Sequence, residues 1–260
     1  MTADTGSLQL RMAADDVDIK AAQRLRYRVF VEELGGSGPL VDHSNRFEAD
    51  AFDPVCDHLL LIDPDVDPDT LEHVVGAYRV LPSDRADRFG RYYCDAEYDL
   101  DKLRNTGRKL LELGRSCVHP AHRGGTALLQ LWSGLADYVV TKNIEILFGV
   151  ASFHGTDIQR LRMPLAWLHH NHLAPEPLRA TARSAHVQRM DLMPASAVDR
   201  RAASAALPGL IKSYLKLGGF VGEGAFIDHA FNTTDVLLLM DTKAMSEKHR
   251  SYYTRRAVAR

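Results

Sequence analysis

The 260-residue sequence predicts an α/β fold in which a mixed sheet carries helices on its faces. Three observations lead there. The β-rich runs CDHLLLID and HVVGAYRVLP are separated by the turn-forming stretch PDVDPDT, the pattern of an antiparallel hairpin. Further on, the strand-like KLLELGRSCV, a Gly-Gly turn, the helical TALLQLWSGLADYVVTKN and the buried run IEILFGVAS follow one another in the order of a β-α-β unit. Finally, no internal repeat and no clean interdomain linker interrupt the chain, so one domain over residues 1–260 is expected, with a basic tail from about residue 243.

The elements follow in order. Residues 15–34 place Ile19, Ala22, Leu25 and Val29 on one helical face, with Asp15, Asp16 and Asp18 favouring the helix N-terminus. Gly35, Gly36, Gly38 and Pro39 end that helix, and the polar stretch up to Asp53 has no period and reads as a long loop. The aspartates between the hairpin strands resemble the start of a calcium loop. Pro68 stands where such a loop requires Gly and Val74 where it requires Glu, which removes that reading. After the β-α-β unit, residues 156–172 are helical in pattern, residues 175–208 are rich in Pro, Arg and Ala and give no assignment, and LPGLIKSYLKLGG predicts a short helix closed by Gly218 and Gly219. TDVLLLMD is the last strand.

Composition narrows the function classes. The chain is 45% hydrophobic and 25% charged with a formal net charge of -2, so nothing in its overall electrostatics predicts a nucleic-acid partner. Cys56, Cys94 and Cys117 are odd in number and widely spaced, which suits buried free thiols rather than disulfides or a zinc site. The first residues lack the pattern of a signal peptide, and no apolar run approaches the roughly 18 residues needed to span a bilayer, so a cytoplasmic location is expected. From Lys243 to Arg260 there are six Lys and Arg against Glu247 alone. That composition suits contact with an anionic membrane surface or an acidic partner, and equally a solvated terminal helix.

Five groups of residues need weighing for chemistry. In VHPAHRGGTALL, His122, Arg123, Gly124, Gly125 and Thr126 put a basic residue, two permissive glycines and a hydroxyl at the start of a helix. Free N-H groups at such a place hold phosphate, although an Arg-Gly-Gly turn is also simply a turn. Glu112 stands in an otherwise apolar strand, where a carboxylate is expensive unless Arg115 or Arg79 pairs with it or a site uses its charge. Asp53 and Asp57 bracket the first hairpin strand, and Arg26 and Arg28 lie on the preceding helix. Their types match the ammonium and carboxylate groups of an amino acid, and also ordinary turn caps and surface charges. His169, His170 and His172 cluster in WLHHNH but match no metal-binding spacing, so no metal is expected. His154 and Asp157 have the wrong spacing for a glycerolipid acyltransferase pair, and helix capping accounts for Asp157.

RLRYRVFVEE, FDPVCDHLLLID, VVGAYRVLP, LLELGRSCVHPAHRGG, SFHGTD and above all LKLGGFVGEGAFIDHAFNTTDVLLLM resemble the N-acyltransferases that begin ornithine lipid synthesis, relatives of the acyl-homoserine-lactone synthases and of the GNAT superfamily. The resemblance spans about residues 20–240. It implies a GNAT-like mixed, mainly antiparallel sheet flanked by helices on both faces. It also implies transfer of a 3-hydroxyacyl group from acyl carrier protein to the α-amine of ornithine, with phosphopantetheine supplied by the carrier and no cofactor of the enzyme's own. Arg26 and Phe30 match an RxxxF helix pattern, Arg79 follows the second hairpin strand, and Glu112 and Arg115 match an ExxR strand. The resemblance makes Glu112 the base and gives the arginines and Phe30 the shaping of the substrate and acyl sites. The Trp that lactone synthases place after the RxxxF helix is absent here, where Leu34, Gly35 and Gly36 stand. The competing readings are acylation of glutamine or another amino acid, lactone synthesis, plain acetyl-CoA-dependent acetylation, and a non-catalytic carrier or membrane adaptor. Because the product is oily, peripheral contact with the inner face of the membrane through the tail is also expected.

Overall fold

The computed structural model describes residues 8–183 and 186–244. Its principal elements are β1 (Gln9–Met12), α1 (Asp16–Arg26), β2 (Asp57–Ile62), β3 (Val74–Pro82), α2 (Ser83–Phe89), β4 (Leu110–Val118), α3 (Ala127–Lys142), β5 (Ile146–His154), α4 (Ile158–His172), α5 (Arg200–Ala206), α6 (Gly209–Lys216), β6 (Ala225–Asp228) and β7 (Thr233–Asp241). Among the described residues they form two compact units, the first of residues up to Phe89 with 113–143, the second of residues 90–112 with 144–244; β4 begins in the second and ends in the first.

In the first unit, the Asp15 side chain accepts the Asp18 N–H at 3.0 Å and caps α1, whose first turn is acidic and whose last turn carries Arg24 and Arg26. The helix expected over 15–34 is present but changes character: Tyr27–Glu33 is wound as a π-helix, a wider winding that periodicity cannot distinguish from α. The expected loop up to Asp53 holds a small hairpin, Val41–Asp42 against Phe47–Glu48. Strands β1, β2 and β3 pair antiparallel, with Leu10 opposite Leu61 and Leu60 opposite Ala77, and β4 adjoins β3.

Because strand side chains alternate, β2 serves two cores. Leu60 and Ile62 join Val74, Ala77 and Cys117 under Ala21, Ala22, Leu25 and Val29 of the first helix. Leu59 and Leu61 point the other way, toward α3. A Cβ added at Gly134 would stand 3.1 Å from Leu59, and one at Gly76 would stand 3.1 Å from both Leu61 and Leu131. Helices thus cover both faces of this part of the sheet.

In the second unit, the first residues of β4 run parallel to β5, Leu110 opposite Ile146 and Glu112 opposite Phe148, as a β-α-β order requires. β7 lies antiparallel along the whole of β5, from Thr233 opposite His154 to Asp241 opposite Ile146, and β6 pairs antiparallel with β7. The fold is therefore GNAT-like, mixed α/β with a mainly antiparallel sheet. α6 ends at Gly218, whose φ of +88° suits the left-handed closing position. At the next residue a Cβ would lie 2.8 Å from the Tyr214 carbonyl oxygen and 3.2 Å from that of Leu239. Both are backbone atoms and cannot swing aside, so Gly219→Ala is expected to cost about 1–3 kcal/mol in urea unfolding.

Candidate active site

The first unit buries an ionic network of three guanidinium groups and three carboxylates. Arg26, 1% exposed, forks onto Asp53 with Nη1 donating to Oδ1 at 2.8 Å and Nη2 to Oδ2 at 2.7 Å. Its Nε lies 2.6 Å from Oε2 of Glu48, and Nη2 donates to the Glu48 carbonyl oxygen at 2.5 Å. Arg79 forks in turn onto Asp50 at 2.5 and 2.9 Å and reaches Asp53 Oδ1 at 2.7 Å. Arg115 donates from Nε to Glu48 Oε1 at 3.0 Å and stands 3.6 Å from Asp50. Gln23, one turn before Arg26, donates to Asp53 Oδ2 at 2.9 Å. The formal charges cancel, and the paired forks satisfy the geometry that buried ion pairs need.

Arg26, Asp53, Arg79 and Arg115, singled out in the sequence, are brought together by the fold with Glu48, which the sequence did not reveal. Arg115 is the most open of the network's six charged side chains, 13% exposed, on a stretch of β4 where Gly114, Arg115 and Ser116 are all partly exposed. Its φ of +53° is left-handed, a conformation that costs a non-glycine residue about 1–3 kcal/mol and re-aims the side chain out of the strand's alternation.

Asp57 goes elsewhere. Its carboxylate pairs with Arg85 at 2.7 Å and accepts the Tyr138 hydroxyl at 2.7 Å, because it starts β2 and its side chain follows that strand's alternation. Phe30 packs against the hydrophobic core under α1. Arg28 stands 2.8 Å from Glu72 and 2.6 Å from His119. In the glycine turn, Arg123 is held bidentately by Glu33 at 2.5 and 2.7 Å and donates to the Val118 carbonyl, so its head group braces the turn. Gly124 has φ +79°, and Gly124 and Gly125 both face open space. Thr126 occupies the N-cap position of α3 with its hydroxyl near Gln130, and His122 ends the single turn before Arg123. The unspent N–H groups of the first turn of α3 follow directly.

In the second unit, Glu112 is 4% exposed and its carboxylate accepts two backbone N–H groups, Tyr93 at 2.8 Å on Oε2 and Cys94 at 2.7 Å on Oε1. Sequence reasoning allowed pairing with arginine or use by a site. The structure adds a third partner, the start of the Tyr93–Ala96 turn, whose outward N–H groups attract an anion. Burial and Glu112 together push the Cys94 thiol well above the usual range. The three cysteines are buried free thiols. His170 donates from Nε2 to the Met193 carbonyl at 2.9 Å, and among the described residues no group of His, Cys, Asp and Glu is placed to hold a metal ion.

Burial alone would raise the Asp53 carboxyl, but Arg26 and Arg79 outweigh it and hold the group well below its ordinary value; Asp50 is lowered likewise by Arg79 and Arg115. A carboxyl depressed in the folded state contributes stability that is complete above its unfolded value near 4 and disappears as pH falls through the folded one. Stability is therefore expected to fall below about pH 4. Denaturant melts from pH 7 to 2 check this, with Asp53→Asn expected to give the shallower acid decline.

A GNAT-like sheet with a glycine turn at a helix start defines a class before any particular member. A family model described as an acetyltransferase (GNAT) domain matches residues 25–133. The fold is similar to the solved structure of a CoA-dependent acyl-homoserine lactone synthase, BjaI, with MTA, at a TM-score of 0.53 and 13% identity over 96% of this chain and 89% of that one. The protein is an acyltransferase of the GNAT class.

A relative from Rhodobacter capsulatus named L-ornithine N(alpha)-acyltransferase is 66% identical over 260 residues, all of both chains. One of the same name from Agrobacterium fabrum is 40% identical over 250 residues, 95% of this chain and 85% of that one. The chain belongs to the L-ornithine N(alpha)-acyltransferase family.

Proposed function

We propose that this enzyme moves a 3-hydroxyacyl group from the thioester of acyl carrier protein to the α-amino group of L-ornithine, giving lyso-ornithine lipid and free carrier thiol. The observation that carries the acceptor is the 66% identity, without a gap in coverage, to a relative named for that acceptor. The carrier as donor rests on the resemblance read from the sequence, and the open glycine turn before α3 is compatible with one phosphate of a phosphopantetheine arm.

In this reading the α-ammonium loses a proton to Glu112, directly or through water, and the free amine attacks the thioester carbonyl. A C–N bond forms, the C–S bond breaks, and the sulfur leaves as a thiol. Glu112 suits the task because two backbone N–H groups fix its carboxylate in place. Arg115 holds the substrate carboxylate, itself held by Glu48. Arg26, Arg79 and Asp53, read from the sequence as substrate groups, already bond one another. Their part is to position Arg115 and Asp50. The phosphopantetheine phosphate sits over the N–H groups of Gly124, Gly125 and Thr126, with His122 and Arg123 alongside. The enzyme binds no cofactor of its own. It works in the cytoplasm, at the inner membrane face through the basic tail; residues 245–260 of that tail lie outside the described residues. No helix among the described residues is long and apolar enough to cross a membrane.

Thiol release measured with ornithine and three donors tests the proposal. Turnover is expected with 3-hydroxyacyl carrier protein and only weakly with the matching CoA thioester. A preference for acetyl-CoA would overturn the donor assignment.

A further inference from the structure

Within the second unit, α4, α5 and α6 enclose a cleft of about 500 Å³ lined by Trp167, His172, Arg200, Leu207, Lys212 and Lys216, among others. None of the acyl-transfer residues named above lines it. Its volume falls in the range of small-ligand sites, roughly 300–1,000 Å³.

Three cations converge on it. Among the described residues none of Arg200, Lys212 and Lys216 pairs with a carboxylate; Lys212 spends one donor on the Ala205 carbonyl at 2.8 Å. Asp199, the acid beside Arg200, accepts the N–H groups of Arg201 and Ala202 and so caps α5. His172 also lines the cleft, and its Nε2 is buried without a hydrogen-bond partner. Its ring packs on Trp167 with centroids 4.4 Å apart, and burial, with Arg200 nearby, lowers its pKa.

The surrounding sequence points the same way. Residues 156–216 contain nine Lys and Arg against four Asp and Glu, in a chain whose formal net charge is -2. A cleft lined by cations without acids raises the local concentration of anions and favours an anionic ligand. The apolar lining of Trp167 and Leu207 adds a second requirement, that the anion carry a hydrophobic part. A small concave site of this kind suits a headgroup better than it suits a protein partner, which needs a broad surface of about 1,200 Å² or more.

We propose that this cleft binds the phosphate headgroup of an anionic phospholipid, with Arg200, Lys212 and Lys216 around the phosphate and Trp167 and Leu207 against the glycerol and first methylenes. The cleft is a membrane-docking site separate from the basic tail. It requires no turnover and stands whether or not the acyl donor and acceptor are those proposed above.

The full chain, tail included, is floated with phosphatidylglycerol vesicles and with phosphatidylcholine vesicles. Neutralising two exposed cations, Arg200→Gln with Lys216→Gln, is expected to lower partitioning onto phosphatidylglycerol about thirtyfold, at about fivefold per basic residue. The thermal midpoint is expected to stay unchanged. Equal flotation of the variant and the parent, or equal binding to both vesicle types, overturns the proposal. A second measurement leaves the charges intact: Trp132→Phe makes Trp167 the sole tryptophan, and its emission is expected to shift to the blue with phosphatidylglycerol vesicles. No shift overturns the proposal, as does the same shift with millimolar inorganic phosphate, which would mark a free-phosphate site. Binding of purified acyl carrier protein that the double variant loses, while vesicle binding persists, would assign the cleft to the carrier and also overturn it.

Discussion

Replacing Arg26 by alanine is expected to lower the unfolding free energy by about 3–5 kcal/mol, the usual cost of stranding buried charge. Its guanidinium contacts both Glu48 and Asp53, each nearly inaccessible, so alanine leaves two buried carboxylates without this partner. The loss therefore exceeds the value of any single hydrogen bond. Urea titrations give the size. A double replacement, Arg26→Met with Asp53→Leu, is expected to recover part of it, since removing both signs leaves fewer charges uncompensated; failure of any recovery would mean that the network cannot be treated pairwise. For a domain of this size a fall of several kcal/mol approaches the whole margin of stability, so the alanine variant is expected to accumulate poorly in cells as well.

Glu112→Gln is expected to lower kcat by about 10²- to 10⁴-fold, the range for losing a positioned general base. Glutamine's carbonyl oxygen replaces only one of the two oxygens that accept the Tyr93 and Cys94 N–H groups, and its NH2 faces the other N–H, so the variant is expected to lose about 1–3 kcal/mol and still fold. The two roles separate through a second variant. Glu112→Ala strands both N–H groups and is expected to destabilise the protein by about 2–4 kcal/mol in addition to abolishing turnover. A Gln variant that turns over normally while the Ala variant merely unfolds would make Glu112 a cap for the 93–96 turn and nothing more. Raising the pH offers an independent check. If Glu112 removes the proton, the Gln variant should regain rate at high pH, where the amine deprotonates unaided.

Much of this architecture could be read from the chain. Leu25, Val29 and their helical neighbours showed the buried face of α1, the Gly35–Pro39 cluster its end, and the apolar runs before Pro82 and around Phe148 their strands, because burial on a regular element leaves a period in the sequence. The network was half legible for a different reason. Arg26 and Arg79 were singled out by residue type and by the family resemblance, whereas Glu48 sits in an aperiodic polar stretch where a buried acid looks like any loop acid. Arg115 was placed on the right strand, but its left-handed φ depends on tertiary closure and leaves no mark in residue type. Asp57 was grouped with Asp53 by nearness in sequence, and the strand's alternation separated them. Among the described residues between 175 and 208 the only strands are Thr181–Ala182 and Val187–Gln188, too short to carry any period, and their partners, Tyr98–Asp99 and β6, are remote in the chain. Pro164 inside α4 argues locally against the helix that packing nonetheless maintains.

The central claim is the chemistry of the acceptor, and one measurement addresses it most directly. Purified protein is incubated with 3-hydroxyacyl carrier protein and equimolar ornithine, glutamine, lysine and S-adenosylmethionine, and the products are resolved by tandem mass spectrometry. The expected product is ornithine acylated on its α-nitrogen, in clear excess over every other amide. Acylated glutamine or lysine as the main product, an acyl lactone, or no acyl-amide at all would contradict the account.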